Sequence, residues 1–441
     1  MKRFLSDQLS KRAGKKVRIK GWVNTRRDHG EIIFLDIRDR KGIVQAVCSP
    51  KTAGEIKEEY AVEIEGEAKK RPSKMVNPKL ESGEIEIKVE KLKIISPSEV
   101  LPFEINKDLN LKLPTLLDFQ PLALRNEKIK SIFEIEEEVI SVFRESLKKM
   151  DFKEFQAPTI VPTATEGGAE VFQIDYYEKK AFLAQSPQFY KQIMLSPFER
   201  VFAVTRAYRA EPSITTRHLS EYSSLDAEMA FIDSWEELMD VCEKLIKDIF
   251  KAVNKNCQKE LKKFKTEIPQ VKKIPRLKMR EAQEIIYQRT KRDNRKEPDL
   301  EPEDEKEISK WAQEKHNSDL VFITHYPTSK RPFYTYQDPE DEKFTLSFDL
   351  LFRGLEIVTG GQRINNYEKL IKNIEKWGNK KEDFSFYLQA FKFGMPPEGG
   401  FCIGGERIVK QMLNLKNIRE ATLFPRDMNR IDKRLKINEK D

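Results

Sequence analysis

The sequence of 441 residues predicts an α+β protein in two parts, a small N-terminal β-barrel and a larger body of strands and helices. Three observations predict this architecture. The first hundred residues contain five short strand-like segments, a proline-containing stretch follows, and amphipathic helices then alternate with strands. The chain includes 27 Phe and 12 Tyr, enough large apolar side chains to form a core. We expect a barrel over residues 1–100, a linker over 101–125 and a second domain over 126–441.

The five segments of the barrel can be assigned in order. Val17, Ile19 and Trp22 mark the first strand, 32–35 the second and 43–47 the third. A helix-like stretch over 52–60 follows, and two further strands begin near residues 61 and 84. Five strands with a helix after the third match a small oligonucleotide-binding barrel.

The body has longer periodic segments. We expect amphipathic helices over 129–149 and 236–264, and strands over 200–208, 222–231, 344–351 and 354–359. Residues 290–317 are highly charged and contain prolines, which predicts an exposed insertion between strands. Residues 426–441 are predicted to form a short charged extension.

Composition and cysteine spacing narrow the class of protein. No apolar run approaches the roughly 18 residues of a membrane helix, and the first residues have no signal-peptide core. We therefore expect a cytoplasmic protein with no membrane partner. The four cysteines have no Cys-x-x-Cys spacing and no histidine at ligand distance, so we expect no zinc site.

Basic residues are concentrated at the N-terminus. The whole chain has a net charge of +8, and residues 1–50 carry 13 Lys and Arg against 5 Asp and Glu. A basic barrel on a neutral body indicates polyanion binding at that end. A solvated basic surface is the alternative, and charge alone does not decide between them.

Three segments of the body carry candidate chemistry. The chain has neither a Gly-x-x-x-x-Gly-Lys loop nor a Gly-x-Gly-x-x-Gly segment after a strand, so side chains must hold any nucleotide. In the first segment, 208–231, two strands flank a polar loop whose arginines suit phosphate and whose tyrosine suits a base; its candidates are Arg209, Glu211, Arg217, His218 and Tyr222. A hairpin with surface salt bridges is the alternative.

The other two segments supply carboxylates and further arginines. Within 348–363, Asp349 and Glu356 form a carboxylate pair of the kind that holds Mg²⁺ beside phosphates, and Arg363 follows a Gly-Gly pair. Within 399–407, a glycine-rich strand leads into a helix, which places Arg407 near a helix N-terminus, where anions bind favourably. A buried structural arginine is the alternative for Arg407.

These segments resemble, in order, the three signature motifs of the class II aminoacyl-tRNA synthetases. Motif one is the helix 129–149 with the strand ending at residue 158, motif two is 208–231 and motif three is 399–410. Residues 20–30 and 34–40 resemble the anticodon-binding barrel of the aspartyl, asparaginyl and lysyl subclass. Residues 165–168, 185–192 and 360–363 are similar to the aspartyl family. The spacing of motifs two and three resembles the archaeal type, without the long bacterial insertion.

The resemblance implies a function in two steps. ATP activates L-aspartate to aspartyl-adenylate with release of diphosphate, and the aspartyl group then moves to the 3′ end of tRNA(Asp). Charging of tRNA(Asn) as well stays open. The resemblance also implies Mg²⁺, an antiparallel catalytic sheet flanked by helices, and a homodimer formed through motif one. An asparaginyl enzyme and a non-catalytic tRNA-binding paralogue are the alternatives; Lys191 argues against the first, and the retained motif arginines argue against the second.

The resemblance assigns roles residue by residue. The catalytic residues are Arg209 on the α-phosphate, Arg407 on the γ-phosphate and Glu356. The ATP site comprises Arg209, Glu211, Arg217, His218, Tyr222, Glu356 and Arg407, with Tyr222 stacking on adenine. Aspartate is held by Glu166, Ser186, Gln188, Lys191, Arg209, Thr359 and Arg363, of which Lys191 and Arg363 pair with its side-chain carboxylate. The metal ligands are Asp349, Glu356 and Thr359, and the anticodon residues are Arg27, Phe34 and Gln45.

Three positions depart from the pattern of the family. Gly405 stands in motif three where Leu or Ala is common, which predicts a change in packing that spares Arg407. Asp151 stands in motif one where Gly is frequent, and Thr359 stands where Ser is common and keeps a hydroxyl. We expect none of the three to remove a catalytic group.

Overall fold

A computed structural model describes residues 1–78, 80, 82–164, 170–212 and 215–435. The chain divides into two compact units, Met1–Asn110 and Leu111–Asp441. The division falls inside the predicted linker, and residues 111–125 group with the second unit. Within the described part of the chain, no helix combines the length and the apolarity needed to cross a bilayer.

The first unit is a closed five-stranded barrel, as predicted. Its strands are β1 (Lys16–Asp28), β2 (Ile33–Asp39), β3 (Gly42–Cys48), β4 (Ala61–Lys70) and β5 (Ile85–Ser96). They follow the order β1-β2-β3-β5-β4, and β3 and β5 are parallel while the other neighbouring pairs are antiparallel. Alternate residues such as Val17, Ile19 and Val23 point into the barrel core, which explains the period-two pattern of the sequence.

The helix predicted over 52–60 is wrong in its extent. The observed helix α1 is a single turn, Pro50–Ala53, capped at its start by the hydroxyl of Ser49. Gly54 follows with φ +54°, in the left-handed region that ends helices. The prediction ran past this stop because the following residues contain further helix formers.

The second unit is built on an eight-stranded mixed sheet of order β12-β13-β14-β15-β16-β11-β10-β6. Its central strands are antiparallel, and among the described strands of this sheet only the edge pairs β12/β13 and β10/β6 are parallel. A separate three-stranded sheet has the order β7-β9-β8. The strands are β6 (Lys153–Glu154), β7 (Ile160–Val161), β8 (Gln173–Tyr176), β9 (Lys179–Leu183), β10 (Arg200–Tyr208), β11 (Glu221–Ala230), β12 (Arg276–Lys278), β13 (Leu320–Thr324), β14 (Ser347–Phe352), β15 (Leu355–Gln362) and β16 (Glu398–Gly404).

Helices cover this sheet, which confirms the predicted α+β class. They are α2 (Leu113–Asp118), α3 (Gln120–Ala123), α4 (Glu127–Lys149), α5 (Gln188–Ile193), α6 (Leu195–Phe198), α7 (Glu236–Asn256), α8 (Gln258–Phe264), α9 (Met279–Thr290), α10 (Pro302–His316), α11 (Tyr367–Lys376), α12 (Ser385–Lys392) and α13 (Gly405–Met412). In α4, a stripe that includes Ile132, Ile135, Val139 and Phe143 packs into the main core. The helix starts two residues before its predicted start, because Asn126 caps it.

The prediction of an exposed insertion over 290–317 is wrong for the second half of this segment. Residues from Pro302 onward form α10, and its Ile308 and Ala312 are fully buried in a satellite core with α9 and β13. The apolar face of α10 is narrow, and most of its other residues are charged. The sequence therefore shows only a weak helical periodicity of apolar residues. Pro302 at the start and Asn317 in the left-handed region at the end are the sequence signals that fix its limits.

Candidate active site

The predicted residues of motifs two and three meet over the centre of the large sheet. Three adjoining pockets open there, and all three are lined by Glu356 of β15. The first pocket brings together Arg209, Glu211, Arg217, His218, Tyr222, Glu356, Thr359 and Arg407. These residues come from the loop after β10, from β11, β15 and α13, so the fold assembles one site from segments nearly two hundred residues apart.

The arginines in this region already contact carboxylates of the chain. Arg407 Nη1 lies 3.3 Å from Glu356 Oε1 and donates to the Glu356 carbonyl at 3.1 Å. Arg217 pairs with Glu305 of α10 and donates to the carbonyl of Gly354 at 3.3 Å. Burial raises the pKa of Glu305 to about 7, against the opposing effect of Arg217. Helix α10, which the sequence analysis did not predict, therefore supplies a partner for the motif-two residue Arg217.

Arg331 is a site residue that sequence reasoning missed. Its Nη2 lies 2.9 Å from Asp349 Oδ1, its Nη1 donates to Thr359 Oγ1 at 3.1 Å, and its guanidinium lies 3.9 Å from the centre of the Tyr326 ring. Asp349 and Thr359 are direct partners across β14 and β15, which brings two predicted metal ligands together. Burial, opposed by Arg331 and reinforced by Glu356, raises the pKa of Asp349 to about 6.

The loop after β10 holds the remaining motif-two residues. The backbone N–H of Arg209 donates to Ser220 at 2.9 Å, which closes the base of the loop. The Arg209 guanidinium lies 5.6 Å from the centre of the Tyr222 ring and 3.7 Å from Glu211. Burial first, and then the charge of Arg407, lower the pKa of His218, which favours the neutral imidazole.

An adjoining pocket brings together six of the predicted amino-acid ligands. It is lined by Ser186, Gln188, Lys191, Arg209, Thr359 and Arg363. Lys191 is only 2% exposed, and its Nζ lies 3.0 Å from Asp226 and 2.8 Å from Glu228. Arg363 Nε donates to the other oxygen of Glu228 at 2.8 Å. The two cations predicted to meet a substrate carboxylate therefore also hold two carboxylates of β11.

Asp226 and Glu228 are further residues that sequence reasoning missed. Both lie in the predicted strand 222–231, but the sequence analysis assigns no role to either residue. They stand two apart on a strand whose other residues from Ser223 onward are buried, which places both side chains on one face of the sheet. Carboxylates on a buried strand face require cationic partners, and this spacing was the available signal.

Glu166, the predicted ligand of the substrate ammonium group, lies outside the described residues. Two other predicted aspartate ligands, Ser186 and Gln188, lie at the start of α5, where the backbone N–H of Gln188 donates to Ser186 Oγ at 3.3 Å. Among the described residues, no group of three His, Cys, Asp or Glu is arranged to hold a metal ion. The predicted metal site consists instead of two carboxylates and one hydroxyl.

Two departures from the pattern of the family have visible geometry. Asp151 has φ +63°, a backbone conformation that favours glycine, and it follows the end of α4. At Gly405, an added Cβ would lie 3.0 Å from Ser223 Cβ, so the smaller residue fits a close approach of α13 to β11. With Gly405 at this position, Arg407 lines the first pocket.

The barrel carries a separate candidate site on β1, β2 and β3. Arg27 donates to both carboxylate oxygens of Asp36, at 2.6 and 3.0 Å, and to Gln45 Oε1 at 3.2 Å. Phe34 stands opposite Arg27 in the strand register, and the ring of His29 meets it edge-on at 5.4 Å. The three predicted anticodon residues are therefore neighbours. Asp36 is an additional member of the group that the sequence analysis did not assign.

Comparisons with known proteins cover nearly the whole chain. The family described as "tRNA synthetases class II (D, K and N)" matches residues 112–428, and the "OB-fold nucleic acid binding domain" matches residues 17–95. The "Aspartate--tRNA(Asp/Asn) ligase" of Aeropyrum pernix is 41% identical over 97% of this chain and 99% of its own length. The "Aspartate--tRNA(Asp) ligase" of Pyrococcus abyssi is 42% identical over 95% and 96%.

Solved structures agree with these matches. The asparaginyl-tRNA synthetase of Pyrococcus horikoshii with asparaginyl-adenylate has a TM-score of 0.85 at 33% identity, covering 96% of this chain and 97% of that one. The aspartyl tRNA synthetase of Entamoeba histolytica has a TM-score of 0.84 at 30% identity, covering 98% and 93%. With this fold, these motif arginines and these relatives, the chain belongs to the class II tRNA synthetases of the D, K and N group, with an OB-fold anticodon domain.

Proposed function

We propose that this enzyme is an aspartate–tRNA ligase, which activates L-aspartate with ATP and transfers it to tRNA(Asp). The observation that carries the proposal is the pair Lys191 and Arg363, two buried cations that line one pocket with Arg209. An aspartate side chain offers both cations an anionic acceptor, whereas the amide nitrogen of asparagine cannot accept a hydrogen bond from either, at a cost of about a few kcal/mol. Relatives of about 40% identity that carry this name support the assignment.

The first step needs positioning and charge stabilisation more than acid–base chemistry. The α-carboxylate of aspartate is already a nucleophile, and the barrier comes from its repulsion by the α-phosphate and from charge that develops there. Arg209 lies between the amino-acid pocket and the first pocket, so it can contact both reacting groups. Arg407 and Arg217 line the outer part of the site, where they suit the β- and γ-phosphates.

Class II synthetases use ATP with Mg²⁺, and the residues present fit that ion. Asp349, Glu356 and Thr359 offer oxygen donors, the donor type that Mg²⁺ takes. Asp349 is buried, and its Oδ1 lies 2.9 Å from Arg331 Nη2. When bound, the ion would offset the negative charge of the phosphates.

Recognition of tRNA is proposed to use the barrel face that carries Arg27, Phe34 and Gln45. A half-buried aromatic ring beside polar side chains suits one unstacked anticodon base, held by stacking and by contacts to its edge. Relatives named for tRNA(Asp) alone and for both tRNA(Asp) and tRNA(Asn) match with nearly equal identity. The second acceptor is therefore a question for experiment.

The experiment is aminoacylation of separate tRNA(Asp) and tRNA(Asn) transcripts with labelled aspartate, with labelled asparagine in parallel. Aspartate on tRNA(Asp) alone supports a discriminating enzyme, and aspartate on both supports the relaxed form. Asparagine on tRNA(Asn) would support the asparaginyl alternative. No charging of either transcript would support the non-catalytic alternative and contradict the proposal.

A single variant tests the role of Arg209. Arg209→Ala is expected to abolish ATP–pyrophosphate exchange, because both reacting groups lose one cation, while the chain stays folded. Arg295→Ala, an exposed arginine near Tyr287 on the surface, is the matched control and is expected to keep exchange. Retained exchange in Arg209→Ala would contradict the assigned role.

We also propose a cytoplasmic homodimer formed through α4 and the segment that follows it. The support is the match of this segment to motif one. Light scattering of the purified chain should give twice the 51.7 kDa mass of one chain. A monomer that still activates aspartate would contradict this part of the proposal.

A further inference from the structure

The carboxyl group of Glu398 lies behind the amino-acid pocket and has no role in the assignments above. Glu398 is the first residue of β16 and is completely buried. Its carbonyl accepts from the backbone N–H of Arg363 at 2.9 Å, which fixes it beside a pocket cation. Its side-chain Oε1 accepts from Gln192 Nε2 at 2.6 Å. Hydrogen bonds to its backbone and to its side chain thus hold this buried residue beside Arg363 and Gln192.

Hydrogen bonds connect Glu398 to a residue that lines the pocket. Gln192 Oε1 accepts from the Tyr387 hydroxyl at 3.0 Å and from Gln188 Nε2 at 2.9 Å. Because two donors converge on that oxygen, the amide nitrogen of Gln192 must face Glu398. Gln188, which lines the amino-acid pocket, therefore has its amide oriented by a chain of contacts that ends at Glu398.

The charged groups around the pocket bear on whether the carboxyl group of Glu398 carries a charge. Lys191 and Arg363 balance Asp226 and Glu228, so these four buried groups sum to zero. The carboxylate of Glu228 contacts two cations, whereas the carboxyl of Glu398 receives a neutral amide donor. A third anion here would make the floor of the pocket negative and would repel an anionic substrate.

The pKa of Glu398 agrees with this difference between the surroundings of Glu228 and Glu398. Burial, followed by the neighbouring Glu228 carboxylate, raises the pKa of Glu398 well above its usual range. A protonated carboxyl can still accept the hydrogen bond of Gln192 on its carbonyl oxygen.

We propose that Glu398 is a positioning residue for amino-acid specificity, a neutral carboxyl that orients Gln188 through Gln192 while it adds no negative charge beneath Lys191 and Arg363. The inference rests on the proposed function, because the anionic substrate it favours is aspartate. It assigns to the strand that opens motif three a part in amino-acid selection as well as in ATP binding.

Two substitutions separate orientation from charge. Glu398→Gln keeps a neutral acceptor of the same shape, so KM for aspartate in ATP–pyrophosphate exchange should stay within about threefold of wild type. Glu398→Ala removes the acceptor and frees the amide of Gln192, so KM for aspartate should rise roughly tenfold or more. KM for ATP should stay within about twofold, because the ATP contacts are elsewhere, and kcat should change less than KM for aspartate.

Each outcome decides the matter. Equal losses in the two variants would show that Glu398 acts as an anion and would overturn the proposal, as would an unchanged KM for aspartate in Glu398→Ala. If Glu398→Ala does not fold, Tyr387→Phe removes one donor to Gln192 while keeping the ring; a KM for aspartate raised about threefold supports the proposal, and an unchanged KM overturns it.

The same assay distinguishes this inference from the proposed function. Wild-type enzyme is measured first with aspartate and with asparagine. Exchange with asparagine alone would contradict the proposed function, and the neutral-pocket argument would fail with it. Exchange with aspartate and no effect of Glu398→Ala would leave the function standing and overturn the inference alone.

Discussion

The two units place the same kind of charged pair in opposite environments. In the barrel, the side chain of Arg27 is 41% exposed beside Asp36, whereas in the catalytic unit Arg363 is 8% exposed beside a completely buried Glu228. An exposed pair contributes little to folding, so its arginine can turn to a ligand at small cost. Removing one partner of a buried pair leaves an uncompensated charge. The barrel can therefore adapt to RNA, while the catalytic pocket must keep its network intact.

The largest effect that tests this comparison comes from matched arginine variants. Arg363→Ala should lower the free energy of unfolding by about 3–5 kcal/mol, because Glu228 keeps only Lys191. Arg27→Ala should lower it by no more than about 1 kcal/mol. Urea denaturation of the full chain measures both. Similar changes in the two variants would remove the distinction between the two regions.

Phe34 gives the next effect, in function rather than in stability. Phe34→Ala should reduce kcat/KM for tRNA aminoacylation about tenfold or more, because a base–aromatic stack is worth roughly 1–3 kcal/mol. ATP–pyrophosphate exchange should be unchanged, because that reaction needs no anticodon. Equal loss of both reactions would instead indicate a structural Phe34.

Glu136 on α4 gives a smaller effect that depends on pH. Burial, with the Glu406 carboxylate nearby, raises its pKa from 4.5 to about 7. The folded chain therefore binds an extra proton between these values, and stability falls as pH rises through this window. Glu136→Gln should remove this slope, so the free energy of unfolding of the variant, compared with that of wild type, should rise by about 2–3 kcal/mol between pH 5 and pH 8. Equal pH dependence of unfolding in both proteins would contradict the assignment.

Sequence reasoning identified the elements with a regular hydrophobic period and the residues that lie within recognisable motifs. The barrel followed from period-two strands such as β1, and the arginines of motifs two and three were found because their neighbours match a known order. Arg331 was missed because it follows a single 3₁₀ turn outside any strand and reaches the site through Asp349, Thr359 and Tyr326, which are distant in the sequence or on other elements. Such contacts depend on tertiary packing, which one sequence does not display.

The concealed helix α10 shows a second kind of limit. Its buried face is narrow, and charged side chains occupy most of its other positions. One of them, Glu305, enters the site as the partner of Arg217. The many charged residues of this segment predicted a solvent-exposed loop. Packing of its apolar residues against β13 instead stabilises a helix.

The three arginine–carboxylate pairs, Arg217–Glu305, Arg331–Asp349 and Arg407–Glu356, have a consequence for ligand choice. The site carries its own counter-ions, so nucleotide binding is an ion exchange rather than attraction to a bare positive surface. A simple anion such as sulfate would have to displace internal carboxylates without neutralising them. A nucleotide that arrives with its own divalent cation compensates both the arginines and the carboxylates they release. With the proposed function, we expect the site to favour metal-complexed polyphosphate over free anions.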